Sequence, residues 1–287
     1  MNIKLGVSTW LWTSPFTTES VGLFPKIKAF GYDAVEIPIE YPELIDGKKV
    51  RDALNAHGLI PISCGAFGPG RDLTHDDPSV HEVCFDYLRR CFELSSIIGA
   101  TFVAGPMYSA VGKVRMLTPE GRKKDWERAV VNLRRVCSMA SDHGMSIALE
   151  PLNRFESDMV NTAEDVVRLA DDIGHPAARV MLDSFHMSLE ERNPEEAIVH
   201  AGERLIHMQV SENYRGVPGT GQTPWTLIRR GLERINYNGI VSIESFTPEV
   251  RELAGAVCIW KNLAPSQDGF AGDGYKFLRE LFRDGKS

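Results

Sequence analysis

Short apolar runs recur along the chain, and stretches with helical spacing separate them. The runs predict strands over 3–9 (IKLGVST), 33–39 (DAVEIPI), 60–65 (IPISCG), 101–107 (TFVAGPM), 146–152 (SIALEPL), 179–184 (RVMLDS), 205–211 (LIHMQVS) and 239–245 (GIVSIES). Helical signals follow each one. Thr118-Pro119-Glu120 reads as an N-cap with proline at the first helical position, ahead of apolar Trp126, Val130, Leu133 and Cys137. Thr162 and Asp165 have the spacing of a capping box, and Gly174 closes that helix. Gly31, Gly58, Gly99, Gly144 and Gly239 stand just ahead of strands, where a loop leaving a helix wants a left-handed residue. Eight alternating β and α units, with no linker or repeat between them, predict an α/β fold: a single (β/α)8 TIM barrel, one domain over 1–287. An open doubly wound sheet that binds nucleotides usually has a Gly-rich turn after its first strand, whereas this chain reads TWLWTSP there.

A barrel of this kind carries its active site at the C-terminal ends of its strands, so polar residues there need explaining. Side chains alternate along a strand, and parity separates inside from outside. Ile147 and Leu149 point outward, leaving Ala148 and Glu150 inward; Val180 and Leu182 leave Met181 and Asp183 inward; Val241 and Ile243 leave Ser242 and Glu244 inward. The same phase on the seventh strand turns Ile206, Met208 and Val210 to the helices, and His207 and Gln209 to the axis. By level, Gln209 matches Glu150, Asp183 and Glu244, while His207 matches the deeper Ala148, Met181 and Ser242. Three carboxylates meeting at one mouth repel each other and lose hydration unless a cation joins them. One divalent ion held by Glu150, Asp183, Gln209 and Glu244 resolves the conflict, and an all-oxygen set favours a hard ion, Mn²⁺ or Mg²⁺. The competing use of each carboxylate is to cap the helix that follows its strand.

Charge and composition narrow the classes. The chain has 43% hydrophobic and 25% charged residues and a net charge of −7. An acidic chain argues against a phosphate-neutralising nucleic-acid surface, and the basic run at 122–124 reads as a solvated helix start. No apolar run approaches the roughly 18 residues of a membrane span. The five cysteines form no C-x-x-C pair, and three of them fall at helical core positions. Free thiols and the absence of a leader pattern lead us to expect a cytoplasmic protein. No P-loop, G-x-S-x-G or H-E-x-x-H occurs.

Beyond these readings, ALEPLNRFE (148–156), LDSFHM (182–187), the E-x-x-R-x-x-P-G-x-G stretch (212–221) with Pro224-Trp225, and IESF (243–246) together resemble the ketose 3-epimerases. That group, which includes the D-tagatose and D-psicose 3-epimerases, lies in the xylose-isomerase-like TIM-barrel superfamily. GPMYSA (105–110) and IWKNL (259–263) extend the resemblance over nearly the whole chain. It implies a carbohydrate epimerase with one divalent ion, Mn²⁺ first and Co²⁺ or Mg²⁺ as alternatives. It also implies a small sugar substrate and a dimer or tetramer, with neither nucleic acid nor membrane as partner. The family's ligands are Glu, Asp, His and Glu, so Glu150, Asp183 and Glu244 match, and Gln209 stands where the third, usually histidine, would be. Hydroxypyruvate-isomerase-like relatives carry H-x-Q at this strand. The resemblance further implies substrate contacts for Glu156, His186 and Arg215. Arg215 has only Glu212 as an acid close in sequence, and Trp12 and Phe246 would wall the sugar's far carbons. Lys113 and Arg115, in the loop 109–117, hint at a polar far end and bring a phosphorylated or acidic sugar into consideration.

The chemistry so implied is inversion at C3 of a free ketose. Glu150 and Glu244 flank the sugar, one removing a proton to give a cis-enediolate and the other returning one to the opposite face. The alternative on the same metal site is an aldose–ketose or hydroxypyruvate-type isomerase, which Gln209 favours, whereas R-x-x-P-G-x-G and His186 favour the epimerase. A DNA-repair endonuclease of the superfamily would need more histidines at the mouth than His186 and His207.

Overall fold

Along most strands residues alternate between the barrel interior and the face beneath the helices, and the sheet closes into a tube. The computed structural model describes residues 2–283; Met1 and residues 284–287 of the unit expected over 1–287 lie outside the described residues. Eight parallel strands, β1 (Lys4–Ser8), β2 (Ala34–Ile39), β3 (Ile60–Gly65), β4 (Phe102–Gly105), β5 (Ser146–Leu149), β6 (Ala178–Asp183), β7 (Leu205–Val210) and β8 (Ile240–Ile243), follow one another around the barrel. β8 pairs back onto β1. Among the described residues ten helices surround them: α1 (Phe24–Phe30), α2 (Gly47–His57), α3 (Pro78–Ile98), α4 (Pro119–Asp142), α5 (Ala163–Ile173), α6 (Ser184–Glu190), α7 (Pro194–Ala201), α8 (Trp225–Arg234), α9 (Arg251–Ala256) and α10 (Gln267–Leu281). The (β/α)8 barrel expected from the sequence is therefore present.

Inward positions Ala34, Ile62, Cys64, Ala104, Ala148 and Met181 form a separate buried cluster inside the barrel. Outward Val35, Ile37, Val103, Ile147, Leu149, Val180 and Leu182 join the larger core beneath the helices. β4 and β5 stop short of their expected ends, where Pro106 and Pro151 have no N–H to donate to the ladder. Thr118 caps α4 by accepting from the Gly121 amide, and Thr162 with Asp165 completes the capping box of α5.

Two expectations change. Gly239 does not adopt the left-handed region; Asn236, at φ 51°, makes that turn. Gly239 provides room instead, since a Cβ there would lie 2.5 Å from the Tyr237 ring. On β7 the pairing with β6 skips a residue, Val180 facing Leu205 and Met181 facing His207. Leu205 thus takes the outward place, and Ile206, expected to face the helices, packs against the interior cluster. Above the skip the alternation holds, with Met208 and Val210 in the outer core. Cys84, Cys91 and Cys137 are buried in α3 and α4, and all five cysteines are free. Among the described residues no helix is long and apolar enough to cross a membrane.

Candidate active site at the barrel mouth

The upper ends of β5 to β8 bring four side chains together. Glu150 follows β5, Asp183 ends β6, Gln209 lies near the end of β7, and Glu244 follows β8; all four are buried. Asp183 and Gln209 are ladder partners, as the expected level requires. On β8, however, Gln209 is paired with Ser242, and Glu244 stands a step higher. Strand tilt produces this offset. The Gln209 side chain still spans it, donating from Nε2 to Glu244 Oε1 at 3.0 Å.

Arg215 is the cation of this cluster. Its Nη1 lies 2.5 Å from Asp183 Oδ2 and 2.9 Å from Glu244 Oε2. The guanidinium is stacked 4.1 Å from the Phe185 ring centre, and Ser245 Oγ donates to the Arg215 carbonyl at 2.8 Å. Glu212, the acid nearest in sequence, is not its counter-ion. Glu212 instead accepts from Trp225 Nε1, the Gly219 amide and the Thr223 amide, at 2.7, 2.7 and 3.0 Å, and so shapes the R-x-x-P-G-x-G loop. One guanidinium among three carboxylates leaves excess negative charge. Burial first, and then Glu244 and Asp183, push the Glu150 carboxyl well above the usual range. Burial also raises Glu244, with Arg215 opposing. Asp183 is penalised by burial too, yet Arg215, with the Phe185 amide, outweighs that and holds it low.

His186 sits in the first turn of α6, whose N-cap is Asp183: Asp183 Oδ1 accepts from the Phe185 amide at 2.9 Å. The capping role and the mouth role therefore coincide in Asp183. Asn153 donates its backbone N–H to His186 Nδ1 at 3.1 Å and brings Nδ2 to 2.9 Å from the same atom. Two donors meet Nδ1, and Nε2 lies between Glu150 Oε1 at 3.6 Å and Arg215 Nη2 at 3.3 Å. Burial lowers the pKa of this ring and keeps it neutral. Asn153 Nδ2 also donates to Glu156 Oε1 at 2.7 Å, so Glu156 belongs to the mouth and not to a helix start. Ligating atoms of Glu150, Asp183 and His186 lie within 4.8 Å of one another. Asn153 fills Nδ1 of His186 and Arg215 Nη2 stands 3.3 Å from its Nε2, whereas Gln209 Oε1 has no donor among the described residues.

Beneath these residues lies a feature that parity reasoning overlooked. Glu36, inward on β2 and fully buried, brings Oε2 to 2.9 Å from His207 Nε2 and accepts from Gln209 Nε2 at 2.6 Å on Oε1. The run DAVEIPI held the signal, a single charged residue at an inward position of a buried strand. Asn153 lies in the quoted LNRFE motif and gained no role from the sequence. Gln209 Oε1 is buried and has no donor among the described residues.

The mouth opens into a cavity of about 600 Å³. Phe246 lines it as expected, but Trp12 does not: Trp12 Nε1 donates to Asp268 at 2.7 Å, with Lys26 over its ring. Trp10 forms that wall, its ring 5.6 Å from Phe246. The chain after Ser8 turns into a short 3-10 helix, Thr9–Leu11, which rotates the two tryptophans away from strand parity. Met107 is in the outer core and lines no part of the cavity. Lys113 is spent on Asp72 and Thr74, at 2.7 and 2.8 Å, and Arg115 on Asp158 and Asp125, at 2.9 and 2.8 Å. Neither cation faces the far end, so the hint of a phosphorylated or acidic sugar loses its basis.

The xylose isomerase-like TIM barrel family model matches residues 24–281. A protein of Synechocystis sp. named "Probable ketose 3-epimerase" is 30% identical, with 98% of this chain and 97% of that protein covered. An L-ribulose 3-epimerase of Methylomonas sp. is 28% identical, covering 88% of each. The crystal structure of a Methylomonas sp. D-allulose 3-epimerase in complex with D-allulose superposes with a TM-score of 0.92, at 26% identity and 98% coverage of both chains.

Proposed function

This chain belongs to the xylose isomerase-like TIM-barrel family and, within it, to the ketose 3-epimerases, and from that premise we propose that it inverts C3 of a free ketose with the help of one divalent metal ion, Mn²⁺ in the first place. The observation that carries the reading is the group Glu150, Asp183 and Glu244, buried together with one arginine, beside an amide oxygen of Gln209 that has no donor. Such a set fits a hard cation, because excess negative charge and an unused acceptor are both costly in a buried site. Glu150, Asp183, Gln209 and Glu244 would hold it. When bound, the ion polarises the sugar's carbonyl and steadies negative charge on its oxygens.

The protein's own groups supply the rest. Glu150 and Glu244 stand on strands separated by β6 and β7, so one removes the C3 proton and the other delivers a proton to the opposite face. Burial raises both carboxyls. His186 Nε2 is aimed at a substrate oxygen, Asn153 orients its ring, and Arg215 and Glu156 hold hydroxyls in the reactive arrangement. Trp10 and Phe246 pack the carbon face. Glu40, Glu252 and Arg71 line the outer cavity, and Arg71 is taken up by the Ala66 and Glu40 carbonyls and the Tyr87 ring, so a neutral sugar suits it better than a phosphorylated one. Five free thiols suit a reducing cytoplasm.

The test is a metal-reconstituted assay on a panel of five- and six-carbon ketoses, their phosphates and hydroxypyruvate, with products separated. Interconversion of C3 epimers of a free ketose supports the reading. An aldose product, or turnover confined to hydroxypyruvate or phosphates, sinks it in favour of an isomerase on the same residues.

A further inference from the structure

Glu36 takes no part in the proton transfers above, yet it is a carboxylate without solvent exposure on the barrel floor. It reaches across the interior to β7, from which β2 is separated by β1 and β8. A side-chain amide has two ends of nearly equal size, one a donor of two hydrogens and the other an acceptor. Only the oxygen end binds a cation, and the shape of glutamine does not decide which end faces it. The charge below decides. A carboxylate accepts hydrogen bonds and donates none, so Glu36 selects the NH₂ end of Gln209, at 2.6 Å, and Glu244 Oε1 takes the other amide hydrogen at 3.0 Å. Both amide hydrogens are used, and Oε1 remains buried without a donor among the described residues. The second oxygen of Glu36 lies 2.9 Å from His207 Nε2, which fixes the carboxylate in turn.

We propose that Glu36 is a positioning residue: held by His207, it sets the roll of the Gln209 amide so that the oxygen, and not the nitrogen, is presented to the metal. The inference rests on the reading of Gln209 as a ligand. It gives the buried histidine of the H-x-Q pair a role one step removed from the ion, and it accounts for how a glutamine serves where the family's histidine is expected.

Calorimetric titration of Mn²⁺ into the metal-stripped full-length chain, with no sugar present, tests it apart from turnover. Wild-type protein that takes up no Mn²⁺ overturns the ligand reading and this inference together. If wild type binds, Glu36→Gln should weaken Mn²⁺ by about 10–100-fold, the usual cost of losing a partner that orients a ligand. The exchanged pair E36Q/Q209E keeps the charge and the hydrogen bond and puts two equivalent oxygens at position 209, so most of the lost affinity should return. Unchanged affinity in Glu36→Gln leaves Gln209 a ligand but overturns the positioning role. Failure of the exchanged pair to recover also overturns it, since Glu36 would then merely support the barrel floor. Should the single variant not fold by circular dichroism, the exchanged pair decides alone: wild-type-like binding supports the proposal and loss of binding overturns it.

Discussion

On the β3–β4 side of the rim, Lys113 Nζ meets Asp72 Oδ2 at 2.7 Å and Thr74 Oγ1 at 2.8 Å, one cation against one acid, and Thr74 returns to Asp72 at 2.7 Å. On the β5–β8 side, Glu150, Asp183 and Glu244 share Arg215, and the amide oxygen beside them has no donor. Both clusters are buried or nearly so, and both hold charge at the mouth of the same barrel. In the first every charge has its counterpart, which is what stabilising architecture looks like. In the second the sum is left negative and an acceptor is left over. A stable fold does not leave such a site without a reason, and a cation with a sugar on it is the reason proposed here.

The contrast breaks most sharply under an isosteric change. Glu244→Gln should lower kcat by about 10²–10⁴-fold, as expected for loss of a proton-transfer group. The metal-free protein should melt no lower than wild type, because one of the repelling acids is gone. A melt that drops steeply would place Glu244 with Asp72 as a structural acid. Metal removal comes next. Chelation should abolish turnover and remove a metal-dependent stabilisation of about 2.7 kcal/mol at a hundredfold excess over Kd. Differential scanning calorimetry with and without Mn²⁺ reads this directly, and Asp72→Asn should leave that increment intact.

Asp72→Asn itself should cost about 1–3 kcal/mol, for it strands the Lys113 ammonium. Burial pushes the Asp72 carboxyl up, but Lys113 and Thr74 outweigh it and hold it below its ordinary value. A depressed carboxyl stabilises fully above its unfolded value of about 3.9 and loses that contribution as the pH falls further. Urea melts between neutral pH and pH 3 should therefore show a shallower acid loss in Asp72→Asn than in wild type. The smallest effects separate two tryptophans. Trp10→Ala should raise KM for the sugar with kcat little changed. Trp12→Phe, which loses a bond to the exposed Asp268, should stay within about 0.5 kcal/mol in stability and leave KM alone.

Much of this comparison is legible in the sequence. Alternation places Glu150, Asp183, Gln209 and Glu244 inward because each follows outward apolar residues that need the helices, and the mouth gathers all four. The same rule applied to DAVEIPI would have found Glu36. It went unnoticed because it sits low on β2, away from the strand ends where catalytic groups are sought. Ile206 was misplaced for a different reason: a skipped pair between β6 and β7 has no signature in either strand alone. The 3-10 turn after β1 breaks the period of two, so strand parity does not separate Trp12 from Trp10, which faces the cavity. The counter-ions of Arg215 were out of reach as well, since Asp183 and Glu244 are distant in sequence and only the closed barrel brings them to it.

The central claim concerns which carbon loses its proton. Turnover of a free ketose in D₂O, followed by NMR of the separated sugars, tests it most directly. If Glu150 and Glu244 act from opposite faces, the acid that delivers a proton has exchanged with solvent, so the epimer formed carries deuterium at C3 and none at C1. Product bearing deuterium at C1, or product formed with no exchange at any carbon, would contradict two-glutamate inversion at C3.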